Sequence, residues 1–310
     1  MGAVCGCAPP VTRRAFTLIE VLVVVVLMSF IILALMAVFN GTQTAFRASI
    51  TQTDVLEGGR ATMGMIKSDL EGMTPSFLST PNYVAGTYII PNFYAGATNS
   101  FTQLLIGSSA SRANLMEDVF FITRENQTWK GVGYFVRSNI LNSAQVMVGT
   151  PGVLYRFETN YSAAQFARFA QTQYGPFAAY DLARTTTNGV GVSRILDGVM
   201  AFRVRAYDTN GIWMTTNVVL NSGVTNVVAY PTNSMTAVTG DPAIIYMYSN
   251  ALPASVEIEL GVLEDRALQR VESLNGSFQA QNNYLAQQAG KVHVFRQRVW
   301  IRNIDPSAYQ

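Results

Sequence analysis

The sequence predicts an α+β protein, with one long N-terminal membrane-spanning α-helix packed on a β-rich head that contains antiparallel sheets. Three observations support this prediction. Residues 21–39 form an apolar run without charge, residues 55–73 carry apolar side chains at three- and four-residue steps, and short β-type runs follow residue 87. The first two patterns are typical of helices, and the third is typical of strands.

Composition bounds the function before any motif is considered. The 310-residue chain is 49% hydrophobic and 13% charged, with a net charge of +2, whereas disordered proteins combine low hydrophobicity with high net charge. The near balance of 21 basic and 19 acidic residues also argues against strong electrostatic binding of nucleic acid. We therefore expect a folded protein that does not have nucleic acid as a partner.

Cysteine and histidine usage limits the metal and redox chemistry. Cys5 and Cys7 both lie in the first ten residues, and His293 is the single histidine. The body of the chain therefore has no disulfide or cysteine-based zinc cluster, and a multi-histidine metal site is impossible. We expect no cofactor and no metal.

The apolar run has the length and the flanks of a membrane span. As a helix with a rise of 1.5 Å per residue, residues 16–39 can cross a hydrocarbon core of roughly 30 Å. Arg13 and Arg14 precede the run without an acidic residue upstream, so the positive-inside bias keeps the N-terminus cytoplasmic and the body extracytoplasmic. A secretory signal has a shorter apolar region, although the small residues from Ala34 to Ala37 keep signal-peptidase cleavage open as an alternative.

Glu20 is the unusual residue at the start of this run. A carboxylate at the edge of a spanning helix costs a few kcal/mol unless it is neutralised, reaches the interface or finds a partner. Glu20 is therefore a candidate functional residue. The alternative is a carboxylate that is solvated by lipid headgroups.

Residues 13–22, with the sequence RRAFTLIEVL, resemble the prepilin processing motif of type IV pilins and type II secretion pseudopilins. The resemblance implies that prepilin peptidase cuts between Ala15 and Phe16 and that the new amino group of Phe16 is methylated. It also implies that Glu20 contacts the positive N-terminus of a neighbouring subunit and so sets the axial register of a filament. The family normally has glycine where this chain has Ala15.

The resemblance divides the chain into three parts. Residues 1–15 are the leader peptide, residues 16–74 are the N-terminal helix, and residues 75–310 are the periplasmic β-rich pseudopilin head. The membrane span is expected at about residues 21–39 and the amphipathic part of the helix at about residues 42–73. Cleavage removes both cysteines, Arg13 and Arg14, so the mature side-chain charge is 2 − 2 = 0.

The second half of the predicted helix has one apolar stripe, which should face the core of the head. The stripe consists of Val55, Gly59, Met63, Ile66, Leu70 and Met73. Thr74-Pro75 is expected to end the helix. Because glycine weakens a helix by about 1 kcal/mol relative to alanine, Gly41, Gly58 and Gly59 are candidate bends.

The head is predicted to contain strands at residues 119–122, 133–137, 153–157, 201–207, 255–262 and 292–302. The Asn210-Gly211 step predicts a hairpin whose second strand begins at Ile212-Trp213. Residues 162–184 and 265–288 have helix-like composition. Residues 221–242 form a polar, turn-rich segment, and this segment or residues 162–184 could be a contact surface.

The order of these features resembles that of J-type minor pseudopilins. In that group a helix ending in a leucine- and aspartate-containing segment, here residues 65–70, is followed by a strand pair with tyrosine and arginine, here residues 133–137 and 154–156. A hairpin with a tryptophan, a Leu-Pro step before an acidic strand and a closing arginine-rich strand complete the series. A lineage-specific pilin-like protein with a J-like head is an equally natural description.

No residue pattern indicates catalysis. His293 lies in an alternating strand, which favours a satisfied or solvent-facing histidine over a catalytic base. The carboxylate pairs Glu117-Asp118, Glu257 with Glu259, and Glu264-Asp265 could support acid–base chemistry or bind calcium. For Glu257 and Glu259, which share one face of a strand, a solvated surface is the favoured explanation.

We therefore expect a structural subunit and not an enzyme. Its expected partners are the prepilin peptidase and methyltransferase, other pilins or pseudopilins bound through the N-terminal helix, and an inner-membrane assembly platform. It would lie in the bacterial inner membrane as a single-pass protein with a periplasmic head, and then enter a pseudopilus or type IV pilus near the tip. The alternatives are a minor pilin acting as an adhesin or substrate-binding module, and a signal-anchored periplasmic enzyme.

Overall fold

The computed structural model of the protein describes residues 17–78, 90–104, 111–138, 151–169, 175–186, 189–215, 219, 226–231, 243–274 and 277–309. The chain divides into two compact units, Met1–Ile50 and Thr51–Gln310, and each is described by itself. The α+β prediction is confirmed, because the main elements are a long N-terminal apolar helix and a large, mainly antiparallel sheet.

The first helix is by far the longest element. The described helices of at least seven residues are α1 (Leu18–Glu71), α2 (Ala163–Phe169), α3 (Pro176–Thr185), α4 (Asp265–Ser273) and α5 (Phe278–Gln287). The helices predicted from the composition of residues 162–184 and 265–288 are confirmed, because α2 and α3 lie in the first segment and α4 and α5 in the second. The predicted bends at Gly41, Gly58 and Gly59 do not interrupt α1.

The strands form one nine-stranded sheet within the described residues. They are β1 (Phe93–Leu104), β2 (Ser111–Glu125), β3 (Thr128–Ser138), β4 (Gly152–Ser162), β5 (Val192–Tyr207), β6 (Val227–Pro231), β7 (Ala243–Met247), β8 (Ser255–Leu263) and β9 (Val292–Trp300). Their order is β6-β7-β1-β2-β3-β4-β5-β8-β9. The neighbours are antiparallel, and an additional parallel contact joins β2 to β5 at Met116 and Phe202. All six predicted strands lie in this sheet, and β9 ends two residues earlier than predicted.

Of two local predictions, the hairpin is confirmed and the loop at residues 221–242 needs correction. Asp208 to Gly211 form the predicted turn, in which Asp208 Oδ1 accepts from the N–H groups of Asn210 and Ile212 and Gly211 has φ 77°. After the turn the chain pairs back onto β5 as predicted, through an antiparallel bridge between Tyr207 and Trp213 and a hydrogen bond from Met214 N–H to the Ala206 carbonyl. Within the predicted loop at 221–242, the apolar residues of β6 pair with β7; the rest of that loop lies outside the described residues, except Asn226.

The two faces of the sheet bury different side chains, because successive residues of a strand point to opposite faces. One face packs against the apolar stripe of α1, including Ile66 and Leu70, and against α4 and α5. The other face has an aromatic cluster around Tyr180, which α3 contributes over β3 and β4. Along β5, β8 and β9 this second face carries arginine and glutamate in place of aromatic residues.

Candidate processing and assembly site

Glu20 closes the first turn of α1. Its Oε2 accepts hydrogen bonds from the Thr17 backbone N–H at 2.9 Å and from Thr17 Oγ1 at 2.8 Å. The first N–H groups of a helix have no carbonyl partner within the helix, and Glu20 satisfies that of Thr17 as the glutamate of a Thr-x-x-Glu capping box does. The other half of the box is not formed, because the Thr17 hydroxyl donates to Glu20 and the Glu20 N–H donates to the Thr17 carbonyl. This role for Glu20 was not predicted, although the spacing of Thr17 and Glu20 is its sequence signature.

The cap leaves part of the Glu20 carboxylate available. Both hydrogen bonds end on Oε2, and within the described part of the chain Oε1 accepts none. Thr17 contributes its own N–H and hydroxyl, so the cap does not require any residue before Thr17. A carboxylate held in this way has a fixed direction and a free oxygen for a second donor.

The segment after Glu20 is suited to an apolar solvent. Its large apolar side chains from Val21 to Phe39 are exposed in the single chain. The hydroxyl of Ser29 donates to the Val25 carbonyl at 2.8 Å, so this polar group is satisfied within the helix, as lipid requires. By length and composition, α1 is able to cross a membrane.

The other predicted site residues cannot be placed. Arg13, Arg14, Ala15 and Phe16 lie outside the described residues, so the cut after Ala15 and the methylation of Phe16 stay predictions. Of the predicted processing and assembly residues, the structure therefore places Glu20.

The far end of α1 is attached to the sheet by a polar cluster. Asp69 accepts hydrogen bonds from the Tyr134 hydroxyl of β3 at 2.5 Å and from Arg156 Nε and Nη2 of β4 at 2.7 and 3.2 Å. Arg156 also bonds to Glu158. Two parallel bonds from one guanidinium to one carboxylate fix orientation as well as distance, so this cluster sets the rotation of α1 against β3 and β4.

The surroundings of Tyr134 and Arg156 raise the pKa of both side chains. Burial and the nearby Asp69 carboxylate raise the pKa of Tyr134, so its hydroxyl remains a donor. Burial opposes the charge of Arg156, but its hydrogen bonds to Asp69 and Glu158 outweigh this effect and raise its pKa. The segments that carry these residues were singled out from the sequence, but the contact between the three side chains was not predicted.

Glu117 connects two strands of the sheet through a buried hydrogen bond. Its carboxylate accepts the Val204 backbone N–H of β5, next to the parallel contact between Met116 and Phe202. Burial raises the pKa of Glu117 to about 7, against the effect of the hydrogen bond from Val204. Glu117 therefore joins β2 to β5 where the ladder between these strands is short.

Its neighbour Asp118 points to the other face of the sheet. Asp118 Oδ2 lies 3.2 Å from Arg184 Nη1 of α3, and Arg184 also pairs with Asp181 at 2.6 Å. Because Glu117 and Asp118 lie on opposite faces, they do not form the predicted carboxylate pair. This pair does not support acid–base chemistry or calcium binding.

The prediction that Glu257 and Glu259 belong to a solvated surface is wrong. Glu257 accepts from Arg205 and Arg296, each at 2.6 Å, and Glu259 lies 3.7 Å from Arg205. The side chains of Glu257 and Glu259 are only 11% and 16% exposed. Burial alone would raise the pKa of Glu257, but the hydrogen bonds from Arg296 and Arg205 hold it below its ordinary value.

Glu264 and Asp265, the third predicted carboxylate pair, have different surroundings. Glu264 lies 3.3 Å from His293 Nε2 at the start of β9, which agrees with a satisfied sheet histidine. Asp265 begins α4, and its pKa is raised by burial and by Asp54 and Asp197. Within the described ranges, no group of three or more His, Cys, Asp or Glu side chains could hold a metal ion.

Comparison with known proteins yields one match. The family model described as the prokaryotic N-terminal methylation motif matches residues 12–36. No match was found among the curated proteins or among the solved structures. The matched residues include the predicted cut, Glu20 and residues 21–36 of the apolar run.

The motif and the fold together support a type IV pilin-like or pseudopilin-like subunit. The motif implies processing by prepilin peptidase and assembly with other pilins in general. A single N-terminal apolar helix with this motif is also consistent with a membrane-anchored pilin.

Proposed function

We propose that this chain is a minor, J-type-like pseudopilin or pilin subunit that acts by assembly and not by turnover. Prepilin peptidase would cut between Ala15 and Phe16 and methylate Phe16, and the apolar helix would then enter a periplasmic pseudopilus or a type IV pilus near its tip. The observation that carries the proposal is the methylation motif at residues 12–36, which is joined to a helix able to cross a membrane.

The geometry of Glu20 gives this assembly a chemical basis. After the cut, Phe16 carries a positive amino group, and Glu20 Oε1 has no hydrogen-bond partner within the described residues. A charge-assisted hydrogen bond between this oxygen and the Phe16 amino group of a neighbouring subunit would neutralise two charges that are costly in an apolar filament core. The cap on Thr17 would hold the carboxylate in place for this contact.

The Asp69 cluster supports the same function from the head. Within Thr51–Gln310, the bonds of Asp69 to Tyr134 and Arg156 fix α1 to the sheet. The proposal requires the head to be held on its own segment of the helix, and this cluster does so within that unit. The expected orientation has a cytoplasmic N-terminus and a periplasmic head in the bacterial inner membrane.

Deletion and complementation test this proposal. In a strain that lacks this chain, we expect loss of filament initiation or of secretion, restored by the unmodified chain and not by Glu20→Ala. Normal filaments that fail to bind a surface or an exported protein would favour the binding module instead. Normal filaments with normal binding and secretion would contradict the proposal.

A further inference from the structure

The last strand of the sheet, β9, has one unpaired edge in the described structure. It is the final strand in the sheet order, and it pairs with β8 through nine consecutive residues from Val292 to Trp300 without a bulge. Edge strands expose unpaired N–H and C=O groups, and proteins commonly protect them with bulges, proline or charged side chains, lysine especially. The charged side chains of β9 are Arg296 and Arg298. The β9 sequence VHVFRQRVW has no proline or lysine.

The hydrogen bonds that flank β9 show which of its residues face away from β8. Ile301 N donates to the Ala254 carbonyl at 3.1 Å, and Glu264 N donates to the Lys291 carbonyl at 3.2 Å. Hydrogen-bonded pairs alternate along an antiparallel ladder, so the odd-numbered residues of β9 bond to β8. The outward backbone groups therefore belong to Val292, Val294, Arg296, Arg298 and Trp300.

The side chains of Val294, Arg296, Arg298 and Trp300 line the second face of the sheet, where α3 does not cover it. Val294 is 54% exposed, Trp300 is 63% exposed, and the side chain of Arg296 is 56% exposed. Arg298 lies between two rings, with its Cζ 3.8 Å from the centroid of Tyr207 and 5.0 Å from that of Trp300. This edge, called here the β9 edge, is thus apolar at both ends and cationic in the middle.

The charge of the β9 edge is only partly neutralised. Arg296 shares Glu257 with Arg205 and remains largely exposed. Arg298 lies over β8, where its Nε donates to Ser255 Oγ at 2.8 Å, and its buried Nη2 has no hydrogen-bond partner within the described part of the chain. No acidic side chain there forms an ion pair with Arg298. Opposite charges on directly facing strand residues stabilise a sheet, and like charges destabilise it. The β9 edge therefore favours a strand with acidic residues opposite Arg296 and Arg298.

A second copy of this chain does not supply such a strand. Two β9 edges paired with each other would bring arginines close together. The opposite edge of the sheet, β6 (Val227–Pro231), has no acidic residue and ends in proline. Neither edge of the described sheet in a second copy is complementary to the β9 edge, so charge complementarity favours a strand from a different polypeptide.

We propose that the β9 edge binds an extended segment of another protein that adds a tenth strand to the sheet. Strand addition uses backbone hydrogen bonds for affinity and alternate side chains for specificity. The expected segment alternates in the order apolar, acidic, acidic, apolar, which places the acidic residues beside Arg296 and Arg298 and the apolar residues beside Val294 and Trp300. This interface is separate from assembly through α1 and goes beyond the proposed function.

Designed peptides test the proposal with the detergent-solubilised full chain. The probe is a fluorophore-labelled, end-capped nonapeptide, Thr-Val-Thr-Glu-Thr-Glu-Thr-Val-Thr, whose binding is measured by fluorescence anisotropy. A second peptide has lysine in place of glutamate, and a third has N-methylated glutamates, which keep the charge but lose the N–H donors. We expect the first peptide to bind at least about tenfold more tightly than either of the others.

A charge-reversed variant provides the matching protein control. Arg296→Glu should weaken binding of the glutamate peptide and strengthen binding of the lysine peptide. Arg302→Glu changes an arginine outside β9 that is 77% exposed and should leave both affinities unchanged. If Arg296→Glu does not fold, the three peptides still decide the question on the unmodified chain.

Several results would overturn the proposal. They are absence of binding by the glutamate peptide, equal binding of the glutamate and lysine peptides, and retained binding after N-methylation. Displacement of the peptide by a single-stranded oligonucleotide would also overturn it, because the surface would then be a general anion site. None of these results bears on processing or on assembly through Glu20, so a failure here is distinguishable from a failure of the proposed function.

Discussion

The ring of Phe295 in β9 occupies the space that a side chain at Gly59 in α1 would need. A Cβ atom at Gly59 would lie 2.2 Å from Phe295 Cε2 and 2.3 Å from Cζ. The glycine therefore permits a close approach of helix and sheet within Thr51–Gln310. Gly59 was predicted both as a member of the apolar stripe and as a candidate bend. Its contact with Phe295 confirms the first prediction, and α1 is not interrupted there.

Gly59→Ala is expected to destabilise the full chain, although alanine is the better helix former. Overpacking commonly costs about 1–3 kcal/mol, which exceeds the gain of about 1 kcal/mol in helix propensity. Gly64→Ala is the control, because nothing lies within 4 Å of a Cβ atom there, and it should be neutral or stabilising. The measurement is the free energy of unfolding in denaturant, and equal values for the two variants would refute this explanation.

Asp69→Ala is expected to lower the free energy of unfolding by about 1–3 kcal/mol, because Tyr134 and Arg156 lose a shared, partly buried acceptor. Arg194→Ala breaks a more exposed pair, in which Arg194 and Asp197 are 57% and 41% exposed. It should therefore change stability by less than about 1 kcal/mol. A double-mutant cycle of Asp69 and Arg156 should give a coupling energy of about 0.5–3 kcal/mol, and additive effects would mean that the contact does not stabilise the head.

The stability of the head should depend on pH through Glu117. Its pKa is raised from 4.5 to about 7, so over this range the folded state holds a proton that the unfolded state releases. Stability from this group is fully present below about pH 4.5 and is lost as the pH rises through about 7, by about 3 kcal/mol at most.

Glu117→Gln isolates that contribution. The variant should lose less stability than the unmodified chain between pH 5 and pH 8, as measured by denaturant unfolding at both values. Parallel pH dependence in the two proteins would show that Glu117 does not titrate in this range.

Substitutions at Glu20 separate its capping role from its charge. Glu20→Gln keeps an oxygen that can accept the Thr17 N–H, whereas Glu20→Ala removes both the acceptor and the charge. We expect both variants to be cleaved normally, and both to enter filaments poorly because the charge is absent. The readout is the fraction of processed chain in sheared filaments, and normal incorporation of Glu20→Gln would contradict the proposed contact with Phe16.

The elements predicted correctly are those whose periodicity is local. The stripe containing Ile66 and Leu70 indicates a helix, and the alternation in β8 indicates a strand, because each pattern is set by burial on one side. β6 was missed because its five residues lie within a polar segment. The turn at Asp208 to Gly211 and the start of the strand after it were predicted because their signal is local. The pairing of β5 with β8 was not predicted, because these strands are far apart in the chain.

The candidate site was predictable to the extent that it is a linear motif. The segment around Glu20 was identified from adjacent residues, whereas the cluster of Asp69, Tyr134 and Arg156 depends on three elements meeting in space. Charge patterns alone were misleading for Glu257, because the arginines that cover it come from β5 and β9. Sequence spacing shows which residues share a face, but not what lies across from them.

The N-terminus of the protein extracted from membranes is the most direct test of the central claim. Intact-mass and N-terminal analysis should show a chain that begins at Phe16, carries one methyl group on its amino nitrogen and lacks residues 1–15. The same chain from a strain without prepilin peptidase should begin at Met1. An uncleaved Met1 in the unmodified strain, or a terminus near Ala37 from an ordinary signal peptidase, would contradict the account.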